Sequence, residues 1–237
     1  MSNGTCIAVV SGGADSTSYM AYYQKELDFD LKAITFDYGQ KAKAELESLK
    51  YICGELNIPL KVIDISFMKE LWKGTQLTDE NVKVEPGYVP SVVVPLRNGV
   101  MLSIALSYAY TVKAKRVIYG SHKGDIGTWT NPAGVKEYFY PDCSPEFSVA
   151  FANAAKLGVF TFDPLIMIDS PGIQNMTKSD LLRVGHKALG NLLFETYSCY
   201  ENNKDRYHCG TCESCNNRKN AFKSVGINDK TVYLDLI

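Results

Sequence analysis

Two groups of residues in this chain have types and spacings suited to chemistry. The first is SGGADS at residues 11–16, set between an apolar run at 6–10 and a stretch whose apolar residues fall at helical spacing. A glycine turn between a buried strand and a helix offers successive backbone N–H groups and the positive end of the helix dipole to an anion. Gly12 and Gly13 let the backbone approach that anion closely, because no Cβ intervenes. The loop is neither Walker A, which needs a lysine after the second glycine, nor GxGxxG. Its plainer reading is a tight turn in which Asp15 or Ser16 caps the helix.

The second group is SCY at 198–200 with HCGTCESC at 208–215. Two consecutive C-x-x-C spacings let Cys209, Cys212 and Cys215 face one tetrahedral ion, and Cys199 can close the shell. Spacing does not select zinc over iron, exclude a redox pair, or exclude His208 in place of Cys199. Seven cysteines is an odd number, and three crowded together point to metal and not to a disulfide framework. Four protein ligands leave no position for water, so the ion is expected to be structural.

The bulk composition narrows the substrate class. At 237 residues, 46% hydrophobic and net charge −1, the chain has the make-up of an ordinary enzyme domain with no electrostatic footprint for nucleic acid. Small molecules or a protein are the expected partners. The N-terminus lacks a basic region and its apolar run is far shorter than the ~20 residues of a membrane span. A cytoplasmic location without membrane association is the expectation.

Positioning these groups requires an α/β fold. Residues 6–10, 31–36, 60–65 and 116–121 read as buried strands, alternating with helices from residue 17, over 42–56 and over 99–114. Such alternation implies a parallel, Rossmann-like sheet flanked by helices. Ser144 reads as the N-cap of a helix ending at Gly158, and Thr177 with Asp180 as a capping pair for the next. Residues 122–143 show no regular period and read as a long functional loop. A polar stretch with Pro86, Gly87 and Pro90 precedes the third helix. The expected organisation is an α/β domain over 1–190 with a small metal-binding segment over 191–237.

Taken together, SGGADST, TFDYGQ, VPLRN, YPDC-x-PEF, PL-x-x-ID and SCY…CGTCESCNNR resemble the QueC family of PP-loop ATP pyrophosphatases, in the family's own order over most of the chain. The resemblance implies an ATP-dependent carbon–nitrogen ligase using ATP, Mg²⁺ and Zn²⁺. It would adenylylate 7-carboxy-7-deazaguanine, form an amide with ammonia, and dehydrate that amide to the nitrile with a second ATP. By the same resemblance Ser11, Gly12, Gly13, Asp15 and Ser16 would bind pyrophosphate. Thr35, Phe36 and Asp37 would lie near the nucleoside, and Arg97 and Asn98, with Asp15, would face the reacting phosphate. Asp125, Tyr140, Asp142 and Cys143 would handle the deazaguanine, Cys199, Cys209, Cys212 and Cys215 would bind zinc, and the enzyme would be a homodimer. Lys178 reads as solvated or phosphate-steering, and Asp142 equally as a turn cap.

The chain departs from the family pattern in several places. Leu96 stands where the family has glycine, Ala42 where a histidine is usual, and Ser144 where an arginine follows PDC. Residues 122–140 replace a much shorter family stretch, and Trp129 and Tyr138 within them suit either stacking on a base or partner, or local packing. The insertion motivates a second expectation, a ligase joining the activated acid to an amine of a partner protein, as relatives in bacterial defence clusters do. A third is a non-catalytic nucleotide-binding module.

Overall fold

In a computed structural model describing residues 2–85, 88–201 and 206–236, five parallel strands run β3-β2-β1-β4-β7 across one sheet. These are β1 (Thr5–Val9), β2 (Asp30–Asp37), β3 (Leu60–Asp64), β4 (Arg116–Tyr119) and β7 (Met167–Asp169). Helices α1 (Ala14–Lys25), α2 (Ala44–Glu55), α3 (Arg97–Thr111), α4 (Pro145–Leu157), α5 (Lys178–Leu189) and α6 (Glu213–Val225) flank it. The Rossmann-like sheet expected from the sequence is therefore present. Pro86 and Gly87 lie outside the described residues.

The central strands carry apolar runs because both faces are covered. Ile7, Ile34 and Val117 pack into one core with Leu102, Ala105 and Leu106 of α3. Cys6, Ala8, Ala33 and Ile118 pack into the other with Tyr19 and Tyr23 of α1 and Leu49 of α2. Met101, Leu102, Ala105, Leu106 and Ala109 recur at helical spacing and are buried, which accounts for the apolar character of α3. The order places the crossover reversal between β1 and β4, where an open α/β sheet leaves a crevice at its carboxyl end.

Local signals act as read. The Ser144 side chain accepts from Phe147 N at 3.1 Å, opening α4, and Thr177 with Asp180 forms a reciprocal capping box on α5. Two readings need correction. Residues 122–143 are not irregular throughout: β5 (Thr128–Thr130) pairs antiparallel with β6 (Lys136–Tyr138) as a hairpin. Gly134 makes its turn at φ +79°, and strands of three residues are too short to show a period of two. Strand β7 and helix α6 carried no assignment for related reasons, the first being three residues long and the second polar with its apolar residues spread thinly.

The C-terminal segment is joined to the main domain through a shared core. Ala221 and Phe222 of α6 pack with Ala14, Leu182, Leu189 and Leu193.

Leu96, standing where the family pattern has glycine, adopts φ +53° and ψ +27° immediately before α3. Its side chain is 57% exposed, so little packing offsets the left-handed backbone, which costs an L-residue about 1–2 kcal/mol. Leu96→Gly is expected to raise Tm by about 2–4 °C in thermal denaturation, a net gain of ~1 kcal/mol after glycine's extra unfolded-state entropy.

Candidate active site

Residues 11–16, the end of the β1–α1 turn and the first residues of α1, open on a cavity of about 260 Å³ at the carboxyl ends of β1, β2 and β4. Within the loop, Ser11 N donates to Ser16 Oγ at 3.2 Å and Gly13 N to Ser11 Oγ at 3.2 Å. Gly13 occupies the N-cap of α1 and offers no side-chain bond to the first helical N–H groups. These donors face a cavity with the helix dipole behind them, which is the arrangement that takes an anion. Gly12 adopts φ +101°, and a Cβ there would lie 2.2 Å from the Glu45 carbonyl oxygen. Gly120, at the end of β4, is equally constrained, because a Cβ would meet that of Ser16 at 2.6 Å.

Cationic groups stand around this cradle. Lys178, the first residue of α5, pairs with Asp15 Oδ2. Burial opposes ionisation of Asp15, yet Lys178 beside it holds the carboxyl below its usual range. Asp15 Oδ1 is buried with no hydrogen-bond partner. Arg97, at the first turn of α3, directs its guanidinium over the Tyr38 ring at 5.7 Å and lies 3.4 Å from the Tyr38 hydroxyl. Burial works against the Arg97 charge, while Tyr38 and Asp142 nearby favour it more strongly and keep the group protonated. Burial pushes the Glu45 carboxyl up to about 8, with Arg97 pulling the other way.

Of the residues singled out from sequence, Ser11, Gly13, Asp15, Ser16, Thr35, Phe36, Arg97, Asn98, Asp125, Tyr140 and Cys143 line this one cavity. Gly12, Asp37 and Asp142 do not. Asp37 is engaged with Gly39 N at 3.0 Å and Lys43 Nζ at 2.5 Å. Asp142 places one oxygen 2.8 Å from Asn98 N and the other 3.1 Å from Asn98 Nδ2, so it caps α3 and fixes Arg97's turn. Asp125 accepts from His122 N at 2.8 Å, and burial raises its carboxyl. Burial likewise raises the Cys143 thiol, which keeps it protonated. Trp129 packs near Tyr88 at 6.3 Å between ring centroids, and Tyr88 lies 4.7 Å from Phe139, so the hairpin's tryptophan serves as a local anchor.

The cavity also contains residues that motif reading passed over: Tyr38, Glu45, His122, Tyr200, Glu213 and Asn217. Glu45 and Tyr38 sit just after the TFD strand end, and Glu213 lies inside CESC, so position beside a motif was the available signal. Asn217 lies inside CGTCESCNNR as well, and His122 carried no such signal.

The cysteine segment forms the far wall. The four Sγ atoms of Cys199, Cys209, Cys212 and Cys215 lie within 4.8 Å of one another, and Cys209 and Cys215 are 3.8 Å apart. Tetrahedral zinc with bonds of ~2.3 Å requires S···S separations near ~3.8 Å, so the donor set fits. Backbone N–H groups of Glu201 and Cys209 point at Cys199 Sγ at 3.3 Å, and Cys212 N points at Cys209 Sγ at 3.3 Å, as thiolates require. His208 spends Nε2 on Ser198 N at 3.0 Å and stands outside the cluster. From this knot Tyr197 N donates to Gly12 O at 3.0 Å, and Arg218, fully buried, donates to Thr196 Oγ1 at 2.9 Å and Ser198 Oγ at 3.2 Å. Burial disfavours the Asp229 charge, but its partner Arg218 holds it below the usual range.

Comparison with known proteins gives a consistent assignment. Residues 5–226 match the family described as Queuosine biosynthesis protein QueC. The chain is 35% identical to 7-cyano-7-deazaguanine synthase 2 of Colwellia psychrerythraea, over 96% of this chain and 97% of the relative. It is 39% identical to 7-cyano-7-deazaguanine synthase of Caldicellulosiruptor bescii, over 96% of each. Among solved structures it is similar to an NMN synthetase from Francisella tularensis, at 15% identity and TM-score 0.48, covering 96% of this chain and 79% of that one. It is also similar to an NH3-dependent NAD synthetase from Campylobacter jejuni, at 18% identity and TM-score 0.38, covering 82% of this chain and 87% of that one.

Because a Cβ at residue 12 would strike backbone and not a movable side chain, Gly12→Ala is expected to lower the unfolding free energy by about 3 kcal/mol. Urea denaturation measures this without reference to any activity.

Proposed function

The chain belongs to the QueC family, and from that premise we propose that it activates 7-carboxy-7-deazaguanine with ATP and passes the acyl group to an amine. The observation carrying this reading is the uncapped N-terminus of α1, open to a cavity that Arg97 and Lys178 also reach. Such a cradle suits the pyrophosphate half of ATP.

In this reading the acid's carboxylate attacks the α-phosphorus, the bond to the β-phosphate oxygen breaks, and pyrophosphate leaves toward the uncapped N–H groups at the start of α1. Arg97 offers a planar fork of donors to the phosphate oxygens. Asp142 acts through Asn98, holding Arg97's turn in place. Asp125 accepts from the N–H edge of the deazaguanine, beside Tyr140 and Cys143, and Thr35 and Phe36 border the nucleoside. Magnesium, when bound with the nucleotide, neutralises phosphate charge, and the orphaned Asp15 Oδ1 is the atom available to it. Ammonia then yields the amide, and a second activation gives the nitrile. The cysteine knot would hold zinc as a closed structural site, and the enzyme would work in the cytoplasm.

A second reading keeps the adenylate and changes the acceptor to an amine carried by a protein. It is supported by the hairpin of β5 and β6, which stands beside the cavity where Tyr88 packs against both Trp129 and Tyr140. The expected homodimer draws support from Phe160 and Phe162, stacked at 5.2 Å and exposed by 71% and 80%.

Incubation with 7-carboxy-7-deazaguanine, ATP and ammonium is expected to give the nitrile mass, with AMP in excess of it. Absence of both amide and nitrile, with a partner protein gaining the acyl mass instead, selects the second reading. Arg97→Lys is expected to lower kcat/KM for ATP by about 10–100-fold, since a point charge replaces a bidentate fork. Elemental analysis is expected to find one zinc per chain, and Cys212→Ser to reduce it along with thermal stability.

A further inference from the structure

Beside the main cavity lies a second cleft whose own wall includes Tyr88, Lys123, Phe139, Thr177, Asn220 and Ser224. It shares His122, Asp125, Tyr140, Lys178, Glu213 and Asn217 with the main cavity, and none of residues 11–16 reaches it. A ligand held on the phosphate loop and a second reactant arriving by this cleft therefore meet at these shared side chains. The carboxyl groups of Asp125 and Glu213 offer oxygen acceptors there to the N–H groups of an amine.

Among the shared side chains, Lys178 is paired with Asp15 and Tyr140 Oη donates to Glu213 Oε2 at 3.1 Å, whereas His122 keeps a ring nitrogen that its own turn does not use. Its backbone N is held by Asp125 Oδ2 at 2.8 Å, and its Nδ1 receives the Gly124 N–H at 3.0 Å. A neutral imidazole carries one proton, so an accepting Nδ1 puts that proton on Nε2. The ring is only 12% exposed. Gly124 permits this fit, because a Cβ there would lie 2.8 Å from His122 Cε1. Asp15, Asp125, Glu213 and Lys178 are the charged groups around the ring.

We propose that His122 is a catalytic residue whose Nε2–H stabilises the oxyanion formed when an amine, admitted through the second cleft, attacks the acyl carbon of the adenylate. The inference rests on the acyl-adenylate reading above and adds the acyl-transfer step to it. The amine's lone pair forms the C–N bond while the carbonyl pair moves onto oxygen, against Nε2–H. That pair then re-forms the carbonyl as the C–O bond to phosphate breaks, and AMP leaves with the bonding electrons. The proton shed by nitrogen passes to water in the open cleft, and the imidazole keeps its own proton throughout. Adenylation places charge on phosphate oxygens instead, so His122 contributes little to that half-reaction.

The test separates the two half-reactions. Acid-dependent ATP–pyrophosphate exchange reports adenylation, and amide formation with ammonium reports acyl transfer. In His122→Ala, amide formation is expected to fall by about 10²-fold in kcat, the effect of losing one oxyanion donor, with exchange within about two-fold of the unmodified protein. His122→Gln, which returns an N–H donor, is expected to recover a measurable part of kcat. Gly124→Ala, which displaces the ring, is expected to show the same selective pattern more weakly. Asn220→Trp, which narrows the cleft from an exposed position, is expected to raise KM for ammonium and not for the acid. Parallel loss of exchange and amide formation in His122→Ala, no recovery in His122→Gln, or an unchanged ammonium KM in Asn220→Trp would overturn the proposal. Absence of exchange in the unmodified protein overturns the acyl-adenylate reading itself, and with it this inference.

Discussion

The hydrogen bond from Tyr197 N–H to the Gly12 carbonyl, 3.0 Å long, joins the two parts of the molecule on which the site depends. Gly12 itself has no freedom, being in the left-handed region with the Glu45 carbonyl where a Cβ would stand. The phosphate loop is thus held between the first turn of α2 and the strand-like segment leading into the cysteine knot. Cys212 continues the same chain of constraints, because its Sγ accepts from Cys215 N at the start of α6. A sulfur cluster that looks remote from chemistry thereby sets the angle at which Glu213 and Asn217 enter the cavity.

Charge in the cavity is arranged in opposed pairs. Lys178 answers Asp15, and Arg97 stands between the Tyr38 ring and the Asp142 cap. A polyanionic ligand entering this space meets two cations already positioned, at the expense of carboxylates that burial disfavours. Asp125, Glu45 and Glu213 are all shifted toward their neutral forms by burial, which lessens their repulsion of phosphate. The same burial keeps the Cys143 thiol protonated, so its place in the wall is that of a small packing group and weak donor.

Much of this was legible in the sequence because the relevant signals are local. Strands buried on both faces show as unbroken apolar runs, caps show as Ser144 and the Thr177–Asp180 pair, and the turn into α1 shows as two glycines between strand and helix. The rest depends on pairings between distant segments. Nothing in HKGD marks His122 as a cavity residue until the turn of Gly124 folds its amide onto the ring. Nor does PDC reveal that Asp142 spends both oxygens on Asn98, 44 positions away. The hairpin escaped notice because three-residue strands carry almost no periodic information, and α6 because its apolar side chains bury against three other elements and not along a continuous stripe.

The geometry has a consequence for how the chain acquires its site as it is made. The loop at residues 11–16 is synthesised well before Tyr197, Glu213 and Asn217. Until that late stretch closes over it, Gly12 lacks one of its two backbone clamps and the cavity lacks a wall. Domains generally fold as units, from the N-terminus onward during synthesis, but here the nascent protein can assemble most of its sheet and still have an open, incomplete cavity. Completion of the site therefore waits on the folding of residues 197–217 onto a sheet already formed.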